Sequence, residues 1–102
     1  MFIARNIYGE KICARCGVEN VPLTKDHFIP KSCGLNVNED GNLVAICREC
    51  NQEKADKVVM PEWYVFLKDE QREKLLRYIR YARSYMVTKI KDEDILKRIN
   101  AL

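Results

Sequence analysis

The spacing of apolar residues changes character part-way along the chain. Up to about residue 50 the apolar stretches are short and bounded by glycine, proline, asparagine and aspartate, a strand-and-loop pattern. Phe2, Ile3, Ile7 and Tyr8 form a brief apolar lead-in that pairs with or packs against the turn near residues 13–17. Residues 21–29 are rich in β-compatible side chains and end at Pro30, which predicts a strand. Residues 31–41 are dense in Gly, Asn and Asp and predict a loop, and Leu43, Val44, Ala45 and Ile46 predict a second strand.

Beyond Cys50 the period lengthens to that of helices. A helix is expected over 51–57, and Pro61 and Glu62 suit the first turn of another, with Trp63, Phe66 and Leu67 on its buried side. The clearest helix covers about 69–85. Leu75, Ile79, Ala82 and Met86 form one apolar stripe there, with Arg72, Leu76, Arg77, Arg80 and Arg83 on a neighbouring sector. Tyr78, Tyr81 and Tyr85 either pack or lie beside those arginines against a nucleic-acid backbone. Residues 92–102 predict a short amphipathic helix carrying Ile95, Leu96 and Ile99, its N-terminus favoured by acidic neighbours. The expected class is α+β in a single domain over 1–102, with a core motif at about 12–57 and a helical extension from about 58.

A chain of 102 residues is small to stabilise by apolar burial alone. The longest apolar run, 58–67, is interrupted by Pro61 and Glu62 and is too short to span a bilayer, and no basic region precedes a long apolar stretch near residue 1. A membrane or secretory role is therefore not expected. The net charge of +3 is modest but uneven. Residues 72–91 hold seven basic residues and one acidic one, a face suited to a polyanion.

Five cysteines change the picture more than the charge does. Four form two Cys-x-x-Cys pairs, Cys13 with Cys16 and Cys47 with Cys50, the spacing of a closed zinc site built on four thiolates. That usage fits a reducing compartment better than a disulfide framework. Gly17 after the second cysteine suits a tight turn in which backbone amides face the sulfurs. Cys33 is left over and is assigned no role.

Between the pairs lie residues with a different chemistry. Hydrolysis of a phosphodiester needs a base to activate water and a cation to offset charge on the phosphate and leaving oxygen. His27, the one histidine of the chain, is the candidate base because imidazole titrates near neutral pH. Asp26 and Asn51 present hard oxygens suited to Mg²⁺ or Mn²⁺. Strand alternation would turn Asp26 and His27 to different faces, so they serve one substrate only where the strand bends or the cation sits over its edge. Asn51 also suits a helix N-cap, and Asn42 a turn. Lys25, Lys31, Arg48 and Lys54 surround this region as candidate phosphate contacts, with Arg77, Arg80 and Arg83 farther along.

Taken in order, Cys13-x-x-Cys16, Lys25-Asp26-His27-Phe28-Ile29-Pro30-Lys31, Asn42-Leu43 and Cys47-x-x-Cys50-Asn51-x-x-Lys54 resemble the motif of the HNH endonucleases, the ββα-metal or His-Me finger nucleases. The resemblance covers a little over half the chain. It implies a zinc-stapled ββα-metal core and a metal-dependent DNA endonuclease. In that case His27 activates water, Asp26 and Asn51 hold Mg²⁺ or Mn²⁺, and Asn42 ties down the loop and orients His27. Cleavage would leave 5′-phosphate and 3′-hydroxyl ends. Many members carry a second histidine where this chain has Asn51, so the chain is an Asn-ending member or an inactive one. The resemblance also suggests a bacterial or phage-infected cytoplasm and DNA, duplex or branched, as partner, with a homodimer where both strands are cut. A non-catalytic zinc-stabilised module that binds DNA or protein is the alternative.

Overall fold

The computed structural model describes residues 1–30, 40–86 and 97, and for residues 40 and 80–86 it describes the backbone alone. Two short antiparallel hairpins are followed by helices. Strands β1 (Ala4–Arg5) and β2 (Lys11–Ile12) pair through a turn at whose tip Ile7 and Tyr8 are exposed. Strands β3 (Leu23–His27) and β4 (Leu43–Cys47) form the second hairpin, with Leu23 opposite Cys47, Asp26 opposite Val44 and His27 opposite Leu43. Helix α1 (Arg48–Lys54) continues directly from β4, so β3, β4 and α1 make one ββα unit.

All five residues of β4 are buried, as befits a strand covered on both faces. Its neighbours explain this. Besides β3, Phe2 bridges to Val44, with the Phe2 amide on the Leu43 carbonyl at 2.8 Å and the Ala45 amide on the Phe2 carbonyl at 2.9 Å. The Ala14 amide reaches the Ala45 carbonyl at 3.1 Å. The lead-in therefore both pairs with β2 and packs on the central strand.

Three elements differ from expectation. The strand over 21–29 is shorter, Leu23–His27. The helix expected from 51 begins at Arg48, with Cys47 in the N-cap position, so Asn51 lies inside α1 and is not its cap. Only one 3₁₀ turn, Pro61–Trp63, forms where a further helix was expected. In the segment from 61 to 67, Pro61, Tyr64 and Leu67 are buried, while Trp63 is half-buried and Phe66 is exposed. Without a helical continuation, the 3.6-residue spacing no longer decides which side chains point inward.

Helix α2 (Asp69–Met86) carries Asp69 and Glu70 in its first turn, where the helix dipole favours negative charge. The Gln71 side chain accepts the Lys68 amide at 2.9 Å and donates to the Ile3 carbonyl at 3.0 Å, which fastens the helix start to the N-terminal segment. Leu75, Tyr78 and Ile79 are buried in the core with Phe28, Ile29, Val44 and Ile46. Tyr78 thus packs, while Arg77 on the opposite side is exposed. The predicted stripe residues Ala82 and Met86, the residues Tyr81 and Tyr85 and the helix over 92–102 lie outside what the structure describes of side chains and chain.

Helix α1 ends at Ala55, whose φ of 48° and ψ of −128° form a backbone conformation hostile to a Cβ. Ala55→Gly should relieve that strain. Allowing for the greater freedom of glycine in the unfolded chain, it should stabilise the protein by about 1 kcal/mol, read as a higher urea midpoint with unchanged slope.

Candidate functional site

The two cysteine pairs converge. The Sγ atoms of Cys13, Cys16, Cys47 and Cys50 all lie within 4.8 Å of one another, with Cys16 and Cys47 3.8 Å apart. A zinc–sulfur bond of about 2.3 Å places tetrahedral sulfurs about 3.8 Å apart, so this donor set fits a closed tetrahedral zinc site. The first pair sits just after β2 and the second spans the junction of β4 and α1. Gly17 has a φ of 78° and completes the first turn.

Backbone amides prepare the sulfurs. Cys13 Sγ accepts from the Cys16 amide at 3.4 Å and the Cys47 amide at 3.2 Å. Burial raises the Cys13 thiol, but amide donors from Cys16, Cys47 and Arg15 outweigh it and bring Cys13 down to about 7. Burial pushes Cys47 and Cys50 upward, and for Cys50 the neighbouring sulfurs add to the effect. Cys13 is thus easier to ionise than an ordinary thiol, and Cys47 and Cys50 are harder.

The second cluster lies at the far end of β3. Asp26 is 2 % exposed, yet it borders a cavity of about 140 Å³ shared with His27, Pro30, Ala55 and Asp56. His27 is half-buried. Despite strand alternation, both residues are among those that line this one space at the end of β3. That cavity is polar and ample for several waters.

Asp26 has two strong partners. Lys54 Nζ lies 3.1 Å from Oδ1 and also donates to the His27 carbonyl at 2.8 Å. The Tyr64 hydroxyl donates to Oδ2. Burial, and then the charge of Asp26, push the Tyr64 phenol well above its ordinary range, so it remains a neutral donor. Lys54 was expected to meet phosphate, but its side chain is fully buried and its ammonium faces Asp26 and the His27 carbonyl. Its position on the inner face of α1, three residues after Asn51, accounts for that difference.

Asn51 faces the same strand one pair earlier, where its Nδ2 donates to Thr24 Oγ1 at 2.8 Å. It does not border the cavity. Asn42 is buried and holds the turn after β3 from the other side. Its Oδ1 accepts the Ile29 amide at 2.8 Å, its Nδ2 donates to the Ile29 carbonyl at 3.1 Å, and its own carbonyl accepts the Phe28 amide at 2.8 Å. Lys25 and Arg48 are exposed, whereas Lys31 and the side chains of Arg80 and Arg83 lie outside what is described.

A family model of HNH endonucleases matches residues 11–61, half of the chain, and that span contains both cysteine pairs, Asp26, His27, Asn42 and Asn51. The chain belongs to the HNH endonuclease family. No curated protein and no solved structure gave a match. The HNH core corresponds to the ββα unit and its cysteine cluster, and the small α+β architecture agrees with a metal-stapled HNH fold. Among the described residues, no helix is long and apolar enough to cross a membrane.

Tyr64 lies beyond the HNH match, and its contact with Asp26 was missed in the sequence reading. Its only signal was an aromatic residue following a Pro-Glu-Trp turn. Arg15, inside the first cysteine pair, was also missed. It donates to the Trp63 carbonyl at 2.7 Å and lies over the indole ring, 4.8 Å from its centroid.

Lys54→Met should be strongly destabilising, by about 3–5 kcal/mol in equilibrium urea unfolding, because it leaves a buried carboxylate without its cation. Zinc binding to the HNH core should release protons from Cys47 and Cys50. Its affinity, followed by competition with a chromogenic chelator, should therefore rise steadily from about pH 6 to about pH 9.

Proposed function

We propose that this HNH domain hydrolyses DNA phosphodiester bonds with the help of a divalent cation. The observation that carries the proposal is the shared cavity: Asp26 and His27 border one polar space beside the helix that bears Asn51. His27 accepts the proton of the attacking water, a task suited to an imidazole. Asn42 fastens the chain at Ile29, two residues beyond His27, and so fixes the backbone from which the imidazole projects.

Asp26 and Asn51 would hold Mg²⁺ or Mn²⁺. Both residues offer hard oxygens: Asp26 lines the cavity, and Asn51, which lies outside that lining, turns Nδ2 and not Oδ1 toward Thr24. Bound there, the cation would offset charge that builds on the phosphate and the leaving oxygen. The products would be 5′-phosphate and 3′-hydroxyl ends. Exposed Lys25 and Arg48, and Arg77 on α2, are the described candidates for backbone phosphates, together with Lys31, Arg80 and Arg83.

One such site cuts one strand. Cleavage of both would take a homodimer, with the C-terminal helices as its contact, or two successive nicks. A bacterial or phage-infected cytoplasm is the setting this reading favours.

The alternative reading is a non-catalytic zinc-stabilised module that binds DNA or protein. It is favoured by the buried state of Asp26, which already pairs with Lys54 and Tyr64. Nicking of supercoiled plasmid by zinc-loaded protein separates the two. The expected result is nicking that requires Mg²⁺ or Mn²⁺, stops with EDTA and falls at least about 100-fold in His27→Ala. DNA binding without nicking under both metals would establish the module instead.

A further inference from the structure

The phenol of Tyr64 is wholly buried and faces a carboxylate assigned above to the hydrolytic site, although Tyr64 itself lies outside the HNH match. Its place is fixed from several directions. The Tyr64 amide closes the 3₁₀ turn on the Pro61 carbonyl at 3.1 Å. Its ring meets Phe28 edge-on at 6.0 Å, and Phe28 follows His27 in the chain. On the other side it meets the Trp63 indole at 90° and 5.1 Å.

Trp63 is in turn held by the first cysteine pair. Arg15, between Cys13 and Cys16, donates to the Trp63 carbonyl and covers its ring, and the Phe66 amide donates to the Ala14 carbonyl at 2.9 Å. A continuous set of contacts therefore runs from the sulfur cluster through Arg15, Trp63 and Tyr64 to Asp26.

We propose that Tyr64 is a positioning residue for the hydrolytic site, orienting the Asp26 carboxylate toward its divalent cation from a turn that Arg15 clamps to the cysteine cluster. The inference rests on the assignment of Asp26 as a ligand. Lys54 on Oδ1 and Tyr64 on Oδ2 hold the carboxylate from both ends, so its plane cannot rotate. Without the phenol, Oδ2 loses its donor and the carboxylate plane is free to rotate about its remaining contact with Lys54. Such outer hydrogen bonds to a metal ligand commonly govern affinity by 10–100-fold.

The test is Mn²⁺ binding to zinc-loaded wild type, Tyr64→Phe and Arg15→Gln, read by electron paramagnetic resonance of free Mn²⁺, with plasmid nicking measured across Mn²⁺ concentration. Tyr64→Phe keeps the ring and removes only the donor. It should retain zinc and the far-ultraviolet circular dichroism of wild type, weaken Mn²⁺ binding about tenfold or more, and recover most of its nicking rate at saturating Mn²⁺. Arg15→Gln should shift Mn²⁺ affinity in the same direction by less. A Mn²⁺ affinity in Tyr64→Phe within about twofold of wild type overturns the proposal, as does a wild type that binds no Mn²⁺. Should Tyr64→Phe fail to fold, an unchanged affinity in Arg15→Gln overturns it. Weakened Mn²⁺ binding in a protein that never nicks would leave the positioning role standing and remove the nuclease.

Discussion

Four sulfurs join the first knuckle to the junction of β4 and α1, next to the core in which Ile12, Ala14, Val44 and Ile46 are buried together. The first pair follows a two-residue strand and the second sits where β4 turns into α1. In so small a chain a structural metal adds on the order of 10–16 kcal/mol of apparent binding energy, comparable to the whole stability of an ordinary domain. The clip does more than close a loop. Cys13 Sγ accepts the amide of Cys47, so the start of α1 is fixed to the first knuckle even before a metal is considered. A site closed by four protein ligands offers no position for water, so the hydrolysis proposed above is assigned to the other end of β3.

That other end depends on a buried charge. Asp26 is tolerable in the interior because Lys54 neutralises it and Tyr64 satisfies its second oxygen. Lys54 also holds the His27 carbonyl, so one ammonium binds the side chain of Asp26 and the backbone of His27. The carboxylate stands at the boundary between core and cavity, with His27 next to it on the wetter side. Core and cavity meet there within two consecutive residues.

Much of this was legible in the sequence, for identifiable reasons. The cysteine pairs have a spacing that few other uses of cysteine require, and β4 stands out as an uninterrupted apolar run. The ordered motif from Cys13 to Lys54 located the ββα unit. Boundaries were harder. Helix α1 starts at Arg48 because Cys47, still paired with Leu23 as the last residue of β4, also stands at the N-cap, a junction that local propensity does not express. Lys54 read as a surface cation, since nothing local distinguishes a buried lysine from a solvated one; only the position of Asp26 across the hairpin does. Tyr64 was hidden for the same reason, with 38 residues separating it from its acceptor. The segment after Pro61 misled because a single 3₁₀ turn shares its opening residues with a full helix.

The closing of β4 on both sides has a further meaning. Leu43–Cys47 is a five-residue apolar strand with no charge and no proline, the composition that adds readily to other strands when its edge is free. Here β3 covers one edge, and Phe2 and Ala14 cover the other. Ala14 is held in that position by the first cysteine turn around it and by the Phe66 amide on its carbonyl. The knuckle therefore acts as a guard over a sticky strand, and a protein stripped of its metal would be exposed to self-association through β4 as well as to unfolding.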